Sequence, residues 1–383
     1  MATLSIKGFA QLEDVDIQFG DLTVLVGPQA TGKSLVLQML KYAIDRPVIA
    51  SDFARYGLDW DKSNPESLLA AFLGEGYENA FTKKTSIQFN HRALFGEKSQ
   101  RSSGREPAVF FVPAQRVMTI ANGWPKPFMS FEPGDPYVVK QFSQEILEQF
   151  SRGVGRAGPV FPQPKRLNAH VRRSIEMSIF HGGELLLKSA GRQKRLIIRY
   201  PGRAGAPIEL PFFEWSAGQR EFSPLLLGLY QLLPAGKISS HRSYRWAVIE
   251  EPEMGLHPQA INSVMLLVFE LLSRGYKVCM STHSPYVLEL VWAIHVLQRS
   301  QSRNKVSAVL EAINVQGNSL RPLAKTLLEK SVRAYAMTFS DTGRHRCTDI
   351  SEFDLESPDP VQAGWGGVTS LSSIVSRAVS RGL

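Results

Sequence analysis

The chain has 383 residues, 43% of them hydrophobic and 21% charged, and 44 Lys and Arg against 35 Asp and Glu give a formal charge of +9. That length allows one large or two small domains with a proper core. No apolar run reaches the roughly 18 residues of a membrane span, two cysteines cannot build a disulfide framework, and Met1–Phe9 lacks the basic start and apolar block of a secretory signal; a soluble, cytoplasmic protein without membrane contact is expected.

In chain order, Thr3–Ile6 and Val15–Phe19 carry β-formers between turn residues, and Leu22–Val26 is wholly apolar, as in a sheet covered on both faces. Ser34–Ile44 has helical spacing at Leu37, Leu40, Ala43 and Ile44. The pattern weakens over residues 52–105, ending in the Ser/Gly/Arg-rich stretch 98–105, and Val109–Val112 returns to an apolar strand. Tyr137–Phe150 reads as an exposed helix and Arg166–Phe180 as another, the two expected to form a short antiparallel arm, followed by a hairpin from Glu184–Lys188 and Arg195–Tyr200 around Gly191. Helix Phe222–Leu233, strand Trp246–Ile249, helix Gln259–Ser273, strand Lys277–Ser281 and helix Tyr286–Ala293 follow, an alternation that argues for a parallel α/β core. Ser307–Asn314 is read as a further strand and the rest as polar and mixed, while Cys279, in an apolar stretch, is read as a small core residue.

Charge is unevenly spread. Between Ser151 and Gly205 twelve bases (Arg152, Arg156, Lys165, Arg166, Arg172, Arg173, Lys188, Arg192, Lys194, Arg195, Arg199 and Arg203) face only Glu176 and Glu184, so the remainder is near neutral. Such a surface binds phosphate backbones, binds an acidic protein, or is simply a solvated face.

The chemistry begins with Gly27-Pro28-Gln29-Ala30-Thr31-Gly32-Lys33-Ser34, a GxxxxGK[ST] pattern lying between a buried strand and a helix. Residues Gly27 to Leu35 are the expected nucleotide-binding loop: backbone N–H groups wrap the phosphates, Lys33 reaches the β/γ-phosphates of ATP, and the Ser34 hydroxyl holds Mg²⁺. Trp246-Ala247-Val248-Ile249-Glu250-Glu251 then delivers two carboxylates to the end of a buried strand. Glu250 is expected to face Mg²⁺ and Glu251 to orient or deprotonate the attacking water. Ser216-Ala217-Gly218-Gln219 precedes a helix, so Ser216 and Gly218 meet an anion at its N-terminus. His283, in Ser281-Thr282-His283-Ser284, and Gln115, after Val109–Val112, complete the set.

At these residues the sequence resembles the ABC-type ATPases of the SMC/RecF/OLD branch. IKGFAQLEDVDIQFGDLTVLVGPQATGKS resembles that branch's N-terminal lobe, SAGQRE its signature motif, WAVIEEPEMGLHP its Walker B strand and following loop, and STHSPYVL its switch-histidine segment. The matches cover about residues 1–45 and 213–295 and are most like compact OLD-like ATPases of phage defence systems, PARIS-like or Septu-like. The resemblance implies an α/β fold, an ABC-type head with a mainly parallel sheet, an antiparallel β lobe and a helical and hairpin insertion. It divides the chain into 1–50, the head part with the P-loop; 51–212, insertion and lobe; 213–305, the head part with signature, Walker B and switch histidine; and 306–383, an extension. It also implies ATP sandwiched between two heads of a homo-oligomer, with Ser216, Gly218 and Gln219 of one closing the Lys33 site of the other. Gln115 and Glu250 then serve the metal, and Glu251 and His283 serve hydrolysis.

Four features depart from the family pattern: Gln29 stands for the usual Asn, Glu250 for the common Asp, Trp215 for the common Leu, and the long coiled coil is absent. No convincing TOPRIM nuclease follows, and Glu352, Asp354, Glu356 and Asp359 read as surface residues. The leading expectation is an ATP-dependent sensor or scaffold controlling a separate effector nuclease or toxin in antiviral defence. The competing one is a DNA repair or chromosome-maintenance ATPase binding DNA through the basic middle section; a transporter motor fits poorly. Trp365, among glycines, is either an intersubunit anchor or packed on its own core.

Overall fold

The computed structural model describes residues 1–61, 64–95, 106–191, 193–202, 205–234, 243–340, 343–354 and 357–367. The stretch 98–105, Arg192, Arg203 and Glu356, singled out above, lie outside them.

The chain opens with strands β1 (Ala2–Phe9), β2 (Leu12–Phe19) and β3 (Leu22–Val26), then helices α1 (Lys33–Arg55) and α2 (Pro65–Leu73). Short strands β4 (Ser86–Phe89) and β5 (Arg92–Ala93) precede β6 (Val109–Val112), and β7 (Ile120–Ala121) and β8 (Trp124–Pro125) form a small hairpin. Helices α3 (Tyr137–Ser151) and α4 (Ala169–Ile175) lead to β9 (Glu184–Ala190), β10 (Gln193–Tyr200) and β11 (Ile208–Pro211). The second half alternates α5 (Ala217–Leu232), β12 (Trp246–Glu250), α6 (Pro258–Ser273), β13 (Lys277–Ser281) and α7 (Pro285–Arg299). Then come α8 (Lys305–Ala312), α9 (Arg321–Leu327), β14 (Val332–Phe339), β15 (His345–Asp349) and the single turn α10 (Pro360–Ala363).

A ten-stranded sheet in the order β5-β4-β1-β2-β15-β14-β3-β13-β12-β6 organises the molecule. Strands β14, β3, β13, β12 and β6 are all parallel, while β1, β2, β4 and β5 form an antiparallel lobe. The parallel strands are largely apolar because both faces are covered. Along β12, Trp246 and Val248 join α1 and α2 on one side, while Ala247 and Ile249 join α5 and α6 on the other. Cys279 is buried in this core.

The edge strand β6 is tied to α1 by a buried ion pair. Lys41 Nζ donates to Asp45 Oδ2 and to the Val109 carbonyl, both at 2.7 Å, and Asp45 accepts the N–H groups of Ala108 and Val109 at 2.8 and 3.1 Å. Each charge is thus hydrogen-bonded, the condition under which a buried pair is tolerated.

The structure corrects several sequence readings. Residues 305–312 are helix α8, packed on α7 and α9, because Val309 and Leu310 need an i, i+1 apolar edge on a helix rather than an alternating strand. The helix at Tyr137 is largely buried, with Phe142, Ile146 and Phe150 in the core, and the second helix is short, with a π-helical turn at Glu176–Phe180; the two contribute to the core and form no projecting arm. Residues 306–383, read as a polar extension, supply β14, which lies directly beside β3. Trp365 is 4% exposed and packs on Trp292 and Phe353, so its own core takes it. Glu352 forms a two-armed pair with Arg299, and Asp359 caps α10. Among the described residues no helix is long and apolar enough to cross a membrane.

One carboxyl inside this packing is set against its surroundings. Glu145, on α3, accepts a hydrogen bond from the Tyr244 hydroxyl at 2.9 Å, and burial pushes its pKa up to about 7 despite Lys41 nearby. The folded chain therefore holds a proton that the unfolded chain gives up near 4.5, and stability falls as pH rises between those values. Glu145→Gln keeps an acceptor for Tyr244 and removes the charge. Its melting temperature should match wild type near pH 4.5 and exceed it by roughly 2–5 °C at pH 8; thermal melts in which the difference does not grow with pH would contradict this.

Candidate functional site

Four neighbouring parallel strands, β3, β13, β12 and β6, end at the same edge of the sheet. Their carboxyl ends carry, respectively, the Gly27–Ser34 loop, Thr282–His283, Glu250–Glu251 and Gln115. These residues, selected from sequence, lie at one edge by this arrangement, which is where α/β sheets collect ligand-binding groups, while Ser216, Gly218 and Gln219 sit at the start of α5.

The loop after β3 is forced by close approach. A Cβ on Gly27, at φ 137, would lie 2.1 Å from the Met337 carbonyl oxygen of β14, and one on Gly32, at φ 85, would lie 2.7 Å from Leu12. Pro28, Gln29 and Ala30 form the exposed rim, and the Thr31 hydroxyl donates to the Pro28 carbonyl at 2.8 Å. Helix α1 starts at Lys33 with no side-chain cap and no acid in its first turn. Its first closed helical bond runs from Val36 N to Gly32 O, so the N–H groups of Lys33, Ser34 and Leu35 lack helical partners and present a positive helix end. Lys33 is 5% exposed, and its ammonium donates to the carbonyls of Gly27 and Pro28 at 2.9 and 2.8 Å. Burial lowers its pKa to about 8, opposed by Glu251 and Glu253.

Glu250 is fully buried. Burial pushes its pKa up to about 7, opposed by the Ala114 N–H and the Ser34 hydroxyl and reinforced by Glu251. Its Oε2 accepts from Ala114 N at 2.8 Å, while Oε1 is buried and makes no hydrogen bond of ordinary length. An orphaned carboxylate oxygen beside a P-loop hydroxyl is a hard-oxygen donor pair that fits Mg²⁺.

Glu251 leaves the strand in the left-handed region, at φ 40. Such a conformation costs a non-glycine residue about 1–2 kcal/mol, and the turn is held from both sides. Glu251 N donates to the Ser281 carbonyl at 3.1 Å, and the Glu251 carbonyl accepts from Arg116 at 3.0 Å. Its Oε1 thereby stands 3.2 Å from His283 Nε2, both side chains near one-third exposed. Glu253 fixes the histidine segment: its Oε1 accepts from Thr282 Oγ1 at 2.7 Å and from His283 N at 2.6 Å.

Ser216 caps α5 in a capping box. Its hydroxyl accepts from Gln219 N at 3.3 Å, and the Gln219 side-chain oxygen accepts from Ser216 N at 3.2 Å. The Gln219 amide also donates to Ile179 O and Tyr200 Oη, and the residue is 7% exposed. Gln219, chosen from sequence as a nucleotide-binding residue, is therefore turned inward, because the cap and the adjoining packing consume its hydrogen-bonding capacity. Ser216 itself is exposed. Gly218 packs so closely on the loop after β12 that a Cβ would lie 3.1 Å from the Gly255 carbonyl. Gln115 is exposed, one residue beyond the Ala114 N–H that binds Glu250.

Sequence reasoning passed over Arg116, which is fully buried and donates to three carbonyls in two of these segments, Glu221 on α5 and the Glu250–Glu251 turn. The only local signal was a base directly following the apolar strand and Gln115, and no spacing rule interprets it.

Residues 121–289 match the family described as "AAA domain, putative AbiEii toxin, Type IV TA system". Solved structures similar to the chain include an SMC head bound to the C-winged helix domain of ScpA (10% identity, 91% of this chain and 96% of that one, TM-score 0.43). The SMC head domain from Thermotoga maritima shows 14% identity over 91% and 97% of the two chains, with a TM-score of 0.33. The Old nuclease of Escherichia phage P2 is 34% identical over 355 residues, an alignment covering 79% of this chain; the chain spans 60% of that protein's length. With its P-loop, paired carboxylates and histidine at one edge of a mainly parallel sheet and its signature turn at the start of α5, the chain is similar in sequence to Old nuclease over 79% of its own length.

Proposed function

We propose that the chain binds and hydrolyses ATP in a head-to-head dimer and uses the nucleotide state to control a separate effector nuclease or toxin. The observation that carries the ATPase reading is the convergence of Lys33, the uncapped start of α1, Glu250 and the Glu251–His283 pair at one sheet edge. The helix N-terminus and Lys33 bind the phosphates; Glu251 orients and deprotonates the attacking water, and His283 holds Glu251 in place and faces the terminal phosphate. Ser34 and Glu250, with Gln115 beside them, would hold Mg²⁺, which when bound neutralises phosphate charge. Ser216 and Gly218, at the exposed start of α5, close the Lys33 site of a second head.

Lys33→Ala should weaken binding of a fluorescent ATP analogue at least tenfold, since it deletes the fixed cation of the loop. Glu251→Gln should leave binding within a few-fold and slow turnover by about 10²-fold or more; turnover at the wild-type rate would remove Glu251 as the base. Mixing Lys33→Ala chains with Ser216→Arg chains leaves one intact composite site per mixed dimer, so ATPase activity should reappear. Verified mixed dimers with no activity would sink the shared-site model.

The effector part rests on the sequence similarity to Old nuclease and to a toxin-associated family. Glu251→Gln protein, arrested with ATP, should co-purify with the product of an adjacent gene, and the complex should change on ADP exchange. A neighbour that never co-purifies in either nucleotide state would exclude it.

A second reading, DNA binding in repair or chromosome maintenance, is favoured by one feature. A cleft of about 740 Å³ between the β7–β8 hairpin and the β9–β10 tip brings together Trp124, Lys126, Lys194 and Arg195. Other bases of the section are engaged internally: Lys188 pairs with Glu209, Arg199 with Glu184, and Arg166 caps α5 through the carbonyls of Tyr230 and Leu233. Under this reading, replacing Lys126, Lys194 and Arg195 by Glu should abolish DNA binding that falls steeply with salt, leaving DNA-free ATP hydrolysis intact. Wild-type protein without salt-sensitive binding would dismiss it.

A further inference from the structure

Arg116 is the largest fully buried side chain described in the molecule, and its guanidinium is shared among backbone carbonyls of two motifs. Nε donates to Glu221 O at 3.1 Å, Nη1 to Glu250 O at 3.0 Å and Nη2 to Glu251 O at 3.0 Å, with Glu221 Oε2 a further 3.5 Å from Nε. Glu221 lies in the second turn of α5, the helix that Ser216 starts. Arg116 itself opens the 3-10 turn Arg116–Thr119, directly after Gln115.

We infer that Arg116 is a positioning residue that couples the signature helix to the Glu250–Glu251 turn within one chain. The inference rests on the ATPase reading above and goes beyond it by naming the mechanical link between the two halves of a shared site. A planar guanidinium with three N–H groups directed at three carbonyls transmits tilt, where an ammonium on a flexible stem cannot hold the same fork. Because α5 is gripped at Glu221 and the turn at Glu250 and Glu251, a rotation of α5 about its Ser216 end displaces Glu251, whose left-handed backbone depends on that grip. A second contact runs parallel to it: a Cβ on Gly255, in the loop after β12, would lie 3.0 Å from Glu221 Cγ, so loop and helix already touch. Occupation of one chain's Glu251 site is thereby felt at the signature turn that the same chain offers to its partner.

The test uses full-length Arg116→Gln and Arg116→Lys beside wild type. For Arg116→Gln, circular dichroism and the dissociation constant of a fluorescent ATP analogue should stay within about threefold of wild type while kcat falls by roughly 10²-fold, the cost of misplacing a reacting group by about 1 Å. Arg116→Lys should recover part of the loss. Hydrogen exchange adds a readout that a merely structural role would not move: ATP should slow exchange over residues 216–223 and 250–253 together in wild type, but only over 250–253 in Arg116→Gln. A variant with wild-type kcat, or one losing binding and turnover in step, overturns the coupling. If Arg116→Gln does not fold, the Lys variant and the wild-type exchange pattern decide, and wild type in which ATP protects only one of the two segments overturns it equally. Wild type that binds ATP without hydrolysing it fails at the ATPase reading and removes this inference with it, an outcome distinct from active wild type and an equally active variant.

Discussion

Parallel pairing of β3, β13, β12 and β6 is the constraint on which the site depends. Strands that run the same way end at the same edge, and each loop leaving that edge is one strand spacing, a little under 5 Å, from the next. Groups separated by more than two hundred residues in the chain, Lys33 and Glu250 among them, are thereby brought to one place without any contact having to be specified between them. The condition is that both faces of the sheet be covered. The alternation of Trp246 and Val248 against Ala247 and Ile249 meets it by dividing the strand between two helical layers.

Electrostatics at that edge is a balance of buried acids and a few fixed cations. Glu250, Glu251, Glu253 and Glu221 surround Arg116, and Glu251 and Glu253 act on Lys33. Burial raises the pKa of the Glu250 carboxyl to about 7 and lowers that of Lys33 to about 8, so near neutral pH Glu250 is partly protonated while Lys33 remains a cation. The backbone participates as much as the side chains: the uncapped start of α1 and the left-handed turn at Glu251 are main-chain features that the side chains around them serve.

The corrections share one physical origin. Local spacing reports which face of an element is apolar, but not what lies against it. Tyr137–Phe150 reads as exposed because polar residues such as Lys140, Gln144 and Glu145 interrupt its apolar positions; in the fold Lys140 turns to the Pro133 carbonyl, Gln144 accepts from the Phe128 N–H, Glu145 accepts from the Tyr244 hydroxyl and Gln149 donates to the Leu227 carbonyl at 2.8 Å. Strand β14 carries Arg333 and Thr338 near its ends and still occupies a central position, since a strand between β3 and β15 needs apolar groups only where helices cover it. Gln219 shows the same thing at a motif: the pattern identifies the turn, while the hydrogen bonds decide which of its side chains face inward.

What the sequence by itself determined is the set of short, locally encoded features: the glycine loop between strand and helix, the acids at the end of an apolar strand, the histidine after another, and the parallel α/β class their alternation requires. These are legible because each depends on a few consecutive residues whose conformation is dictated by sterics and hydrogen bonding near at hand. Only the tertiary structure decided the strand order, the insertion of β14 beside the P-loop strand, the fate of Trp365, and the role of Arg116. Each of these depends on partners more than ten residues away, and nothing in the spacing around Arg116 tells that its three N–H groups will find the carbonyls of Glu221, Glu250 and Glu251. A buried charge is settled by what surrounds it in space, and that surrounding exists only once the sheet has closed around it.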